Sequence, residues 1–135
     1  TPFYYQDKWW LFTALKQDCK KFGDKLFLFS GNDLFSKNWQ AHNLNPVKQN
    51  LVYDRPAGNI ITSNNKIYRP VQDSLKRYGG ALELREITQL SQNSYQETLH
   101  QRIEPCWEDT IKGVHTYNFS DGLLVMDGLK VIAKP

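Results

Sequence analysis

Short apolar runs along the chain each follow directly on a polar turn. Three segments share this grammar: "QDKWWLF" at residues 6 to 12, "SNNKIYR" at 63 to 69 and "SDGLLVM" at 120 to 126. Gly23 and Asp24, Asn64 and Asn65, and Asp121 and Gly122 supply the backbone freedom that a tight hairpin demands. Aligning Trp9 with Ile67 and Leu123 makes the spacing nearly constant. The second halves agree as well: "LFLFSGNDLFSKNW" and "ALELREITQLSQNSY" each hold a strand, a polar break with Ser and Asn, and a closing aromatic. "WWLFTAL" is apolar on both alternating sets of positions, as expected of a strand covered on two faces rather than one.

A period of about fifty to sixty residues made of short strands and turns predicts radially stacked β-sheets. The expectation is an all-β fold, an incomplete five-bladed β-propeller of about two and a half four-stranded antiparallel blades. The blades span residues 1–50, 51–108 and the start of a third at 109–135, with a β-sandwich of merely similar hairpins as the alternative. Helix signals are weak, confined to a turn or two over 13–22 and in "SLKRYGG". Two and a half blades leave apolar sheet uncovered, so the remaining blades are expected from a longer parent chain or, less favoured, from another copy of this one. Starting at Thr1 with a strand pattern from Phe3, the sequence reads as a piece of such a chain.

Composition narrows the function little. The 135 residues are 40% hydrophobic and 13% aromatic, globular values. Seventeen basic against fourteen acidic residues give +3, too small and too dispersed to imply nucleic acid. No apolar run reaches the roughly 18 residues of a membrane span. Cys19 and Cys106 read as free thiols, which weakly favours the cytoplasm and leaves the compartment open.

Candidate chemistry gathers in "IYRPVQDSLKRYGGALEL", residues 67 to 84. Arg55 and Arg69 precede prolines and so sit in extended backbone. Their guanidinium groups can fork onto sugar hydroxyls or a phosphate, or can pair internally with Asp54, Asp73 or Glu83. Asp73 is the best catalytic carboxylate, although an aspartate before "SLK" is also a natural turn cap. Gln72 and Tyr78 suit a sugar ring, with packing beside Gly79 and Gly80 the plainer role for the tyrosine. His115 can exchange protons near neutral pH or hold a ligand. His42 and His100 read as loop residues, and no histidine pair has metal-ligand spacing, so neither metal nor cofactor is expected. Trp9, Trp10 and Trp39 fit packing between blades, and Trp107 the surface.

On "RPAG", "YRPVQD", "RYGGAL" and "GVHTYN", the chain resembles the propeller domain of glucosamine inositolphosphorylceramide transferases and of bacterial relatives that carry it beside a formyltransferase module. The wider superfamily holds arabinanases, levansucrases and invertases. The resemblance implies a carbohydrate-related role, with ligand where the innermost strands converge. Those strands would run through Phe3, Asn59 to Ile61 and His115 to Tyr117, with Thr1, Asn59 and His115 equivalent. The favoured function is a domain that binds a saccharide or sugar nucleotide, accessory to a sugar-modifying enzyme. The alternatives are a glycoside hydrolase or glycosyltransferase-associated propeller using Asp73 with carboxylates outside this stretch, and a protein-interaction propeller. The hydrolytic relatives place a carboxylate at the first inner strand, where this chain offers only Thr1.

Overall fold

The computed structural model describes residues 1–15, 25–48, 55–75 and 79–132. Among them there is no helix, and all regular structure is antiparallel sheet, none of it closed into a barrel. Residues 13–15 continue a strand, while Cys19 and Tyr78 lie outside the described residues.

Sheet 1 is a meander of β1 (Pro2–Tyr5), β2 (Lys8–Leu15), β3 (Lys25–Gly31) and β4 (Gln40–Ala41), paired in chain order. Sheet 2 repeats that order with β5 (Ile61–Ser63), β6 (Lys66–Asp73), β7 (Ala81–Leu90) and β8 (Tyr95–Ile103). A third unit follows, with β9 (Ile111–Gly113) paired to β12 (Leu129–Lys130) and a hairpin of β10 (Tyr117–Ser120) with β11 (Leu123–Met126).

The first hairpin of each unit turns through two residues at positive φ: Gln6 and Asp7, Asn64 and Asn65, Asp121 and Gly122. Positive φ at both central positions matches the twist of the flanking strands, so the three polar dipeptides act alike. These turns also correct the expected alignment. Lys8, Lys66 and Leu123 each stand first after the turn, paired to Tyr5, Ser63 and Ser120. Leu123 therefore corresponds to Lys66 rather than Ile67, and Thr116, not His115, corresponds to Thr1 and Asn59. An aligned apolar residue can be off by one; a turn with fixed backbone geometry cannot.

Alternation along the strands sorts the packing. In sheet 1, Trp10, Phe12, Leu26 and Leu28 face sheet 2 and bury with Ile60, Ile67 and Ile87. Phe3, Tyr5, Val47, Leu90 and Tyr95 border that cluster. On its other face sheet 2 contributes Leu82, which buries with Ala57 and Val114 against Ile103, Tyr117 and Met126. The middle sheet is thus covered on both sides, and from Arg69 to Asp73 β6 is buried throughout.

The units also join along the segments that lead into β5 and β10. The Thr1 hydroxyl donates to the Gly58 carbonyl. The Ala57 carbonyl accepts the Tyr117 amide, and Asn59 exchanges hydrogen bonds with Asn118 and Phe119. Gly58, at φ 150°, lies so close to the Tyr117 carbonyl that any Cβ would collide with it. At the opposite end Gln92, in the turn before β8, bonds to Ser30 and to the Ala41 carbonyl, tying sheet 2 to sheet 1.

Two tryptophans depart from expectation. Trp10 is in the core, but Trp9 and Trp39 lie on the face of sheet 1 turned away from sheet 2, Trp9 against Tyr4 and Trp39 over Gly31. Trp107 is exposed at 49%, and Cys106 is a free, exposed thiol. Neither remaining histidine is a partnerless loop residue. His42 is buried and accepts the Leu44 amide at Nδ1, and His100 lies in β8 against the Tyr68 ring.

Candidate functional site

Two polar groupings stand out, on opposite faces of sheet 2. The first grows from the register of β6, β7 and β8. Arg69 pairs with Arg85 across β6 and β7, two like charges that would repel without carboxylates between them. Glu97, on β8, supplies one. Arg69 grips it with Nε and Nη2, each at 2.8 Å, in a planar fork. Lys48 reaches it from the far side of the sheet 1 interface at 2.6 Å, and the Tyr95 hydroxyl donates to it.

The ladder continues from Arg85 to Glu83, then to Arg102, which holds Glu83, Asp73 and Glu104 together. Four cations and four carboxylates alternate from Lys48 to Glu104, running from the buried Arg69–Glu97 pair, where the charges must cancel, out to the exposed Glu104.

Arg69 is 0% exposed. Burial disfavours its charge, yet the Glu97 carboxylate raises its pKa well above the ordinary value. Burial would likewise push the Glu97 carboxyl up, but Arg69 and Lys48 outweigh it and bring it down to about 2. Tyr95, buried beside an anion, is pushed strongly upward and stays a neutral donor. In Arg102 the hydrogen bond to Glu104 is the largest influence, and the guanidinium is raised.

The second grouping lies beside the segments that lead into β5 and β10. The Gln72 amide donates to the Arg55 carbonyl at 3.0 Å, and its side-chain Nε2 donates to the His115 carbonyl at 3.3 Å. Its Oε1 is buried without a hydrogen-bond partner among the described residues. The His115 ring packs on Gly79, whose φ of 65° and missing Cβ leave the space the imidazole fills. Asp127, just after β11, orients that ring. Its Oδ1 accepts the His115 and Thr116 amides, both at 2.7 Å, and its Oδ2 lies 3.1 Å from His115 Nδ1. Burial works against the Asp127 carboxylate, but the two backbone donors and the ring prevail and hold it below its ordinary value.

The expected site residues are therefore divided. Gln72 joins the backbone carbonyls of Arg55 and His115, on the segments that lead into β5 and β10. Arg69 and Asp73 lie on the other face of sheet 2 in the ion ladder, because Gln72 and Asp73 are strand neighbours and point oppositely. Asp73 accepts the Leu75 amide at 2.8 Å with Oδ1 and pairs with Arg102 through Oδ2, the turn-capping role together with an internal salt bridge. The internal partner of Arg69 is Glu97 rather than Asp54, Asp73 or Glu83. Tyr78 lies outside the described residues.

Sequence reasoning passed over Glu97, Arg102 and Asp127. The alternating charges of "ELRE" and "QETLHQRIE" are a visible trace of the ladder. Asp127 follows "LLVM" immediately, a carboxylate directly after an apolar strand.

Among the described residues no cluster of three or more His, Cys, Asp and Glu has metal-binding geometry, and no helix is long and apolar enough to cross a membrane. No curated protein and no solved structure matches the chain. A family model does: that of glucosamine inositolphosphorylceramide transferase 1, N-terminal, over residues 2–122, from the first strand of sheet 1 to the turn of the third hairpin. With nearly its whole length matched, the chain belongs to the family of the N-terminal region of glucosamine inositolphosphorylceramide transferase 1.

Proposed function

We propose that the chain is part of a five-bladed β-propeller that binds a saccharide or sugar nucleotide as an accessory to a sugar-modifying enzyme. Membership in a family named for a glucosamine transferase supports the substrate class. Two successive four-stranded meanders in the same strand order, joined along their first strands, support the architecture. Completing blades come from the remainder of a longer chain or from another copy.

The observation that carries the binding role is the Gln72 side chain held on the His115 carbonyl beside the His115 ring, where the segments leading into β5 and β10 meet. A buried amide oxygen lacking a donor there is an acceptor that a sugar hydroxyl would satisfy. Asp127 fixes the imidazole, so His115 meets a ligand in one orientation. Asp73, the catalytic carboxylate of the hydrolase alternative, has both oxygens engaged, which favours binding over hydrolysis.

Ligand-observed NMR and calorimetry with glucosamine, inositol phosphate and a uridine-diphosphate hexosamine test this. Binding to at least one, weakened about tenfold or more by Gln72→Leu and by His115→Ala, is expected. Absence of binding to all three, or binding indifferent to both substitutions, refutes the assignment.

A further inference from the structure

The ion ladder is balanced as a whole but not along its length. At one end the single guanidinium of Arg102 meets three carboxylates, those of Asp73, Glu83 and Glu104. At the other, the single carboxylate of Glu97 meets three cations: Lys48 at 2.6 Å, Arg69 at 2.8 Å and Arg85 at 3.8 Å. Arg85 also pairs with Glu83. That leaves Lys48 and Arg69, among the described residues, as two positive charges set against Glu97. The ladder therefore has a negative end at Arg102 and a positive end at Lys48.

The positive end opens to solvent at the boundary between sheets 1 and 2. A cleft of about 300 Å³ is lined there by Val47 and Lys48 on one side and by Tyr95, Gln96, Glu97 and Thr98 of β8 on the other. Both walls are anchored. Val47 and Lys48 exchange backbone hydrogen bonds with Leu26 of β3, at 2.9 and 3.1 Å. β8 is the last strand of sheet 2, held by its pairing with β7. The cleft thus lies between two sheets that are both present, and no further strand is needed to form it.

What it can take follows from which polar groups are already spent. The Glu97 carboxylate is saturated: Arg69 donates to both oxygens, the Tyr95 hydroxyl to Oε2 and Lys48 to Oε1. A cation or a hydroxyl entering the cleft finds no acceptor left on it. Lys48 is in the opposite condition. Its ammonium has three N–H donors, one of them on Glu97, and its side chain is 21% exposed. We propose that the cleft binds an oxyanion, the phosphate group of a small molecule, on the remaining Lys48 donors. Such a contact is charge-assisted and offsets the surplus positive charge at that end of the ladder. Free phosphate and a phosphate ester offer the same group. The cleft is on the opposite face of sheet 2 from Gln72 and His115, so it stands apart from the saccharide role.

Amide NMR on the isotope-labelled chain tests it, with inorganic phosphate or glycerol phosphate added at an ionic strength held constant with sodium chloride. Saturable shifts at Gln96, Glu97 and Thr98 are expected, with affinity lowered about tenfold or more by Lys48→Met. Lys48→Gln, which keeps an N–H donor, repeats the comparison if the first variant loses its dispersed spectrum. Tighter binding of glycerol phosphate identifies an ester as the ligand, and equal or weaker binding identifies free phosphate; either sustains the site. Gln72→Leu should leave the shifts in place. Absence of saturable shifts overturns the proposal, as do shifts that the Lys48 substitutions leave unchanged or that Gln72→Leu abolishes.

Discussion

Glu97 shows how much a single carboxylate can depend on its neighbours. Buried under sheet 1, it is ionised only because Arg69 forks onto it and Lys48 and Tyr95 close the remaining sides. Glu97→Gln removes the carboxylate that the buried Arg69 guanidinium grips, a loss of about 3–5 kcal/mol measurable by urea unfolding. The pairing also sets an acid limit. The folded value of about 2 lies below the ordinary glutamate value near 4.3, so the contribution is complete above about pH 5. It declines as pH falls through 4 toward 2, and the stability of Glu97→Gln should vary less over that range.

Gly79 offers a second test at this scale. Its left-handed backbone and the His115 ring against its Cα both oppose a side chain, so Gly79→Ala should lower the melting temperature by several degrees. Arg69 was recognisable from sequence as a polar group in extended backbone, and Asp73 as a candidate carboxylate or turn cap. Their partners were not, since Glu97 and Arg102 lie 28 and 29 residues further on, two strands away across the sheet.

At the scale of the strand and hairpin, the sequence carried most of the answer. The dipeptides at 64–65 and 121–122 were readable as tight turns because Asn, Asp and Gly tolerate positive φ. Gln6 and Asp7 adopt the same turn with a poorer first residue. Gln6→Asn should therefore raise stability by about 0.5 kcal/mol, visible as a shifted urea midpoint without a changed slope. What escaped was register. A strand's two faces differ by a single residue, so aligning Leu123 with Ile67 rather than Lys66 exchanged inside for outside in the third unit. The same sensitivity placed Gln72 and Asp73 in one expected pocket, although neighbours on a strand cannot both face it.

For the molecule as a whole, order should fall away from the middle. Sheet 2 is covered by sheet 1 on one face and by the third unit on the other, whereas the β10–β11 hairpin is covered on one face alone. Native-state hydrogen exchange should find the slowest amides in β6 and β7 and the fastest among the strands in β10 and β11, a gradient that uniform protection would contradict. The repeat and the uncovered faces were legible because they rest on periodicity and on apolar runs. The division of the polar residues between two faces was not, since it depends on which strands become neighbours.

The charge ladder has one more effect, on assembly rather than on strength. Hydrophobic layers forgive small misplacements, because one aliphatic side chain substitutes tolerably for another. A fully enclosed guanidinium does not: sliding β7 by one residue along β6 would turn Glu83 and Arg85 to the other face and bring Leu82 and Leu84 to the side where Arg69 is buried. The ladder therefore penalises near-miss arrangements far more than it rewards the correct one, and acts as a key admitting a single fit between neighbouring strands.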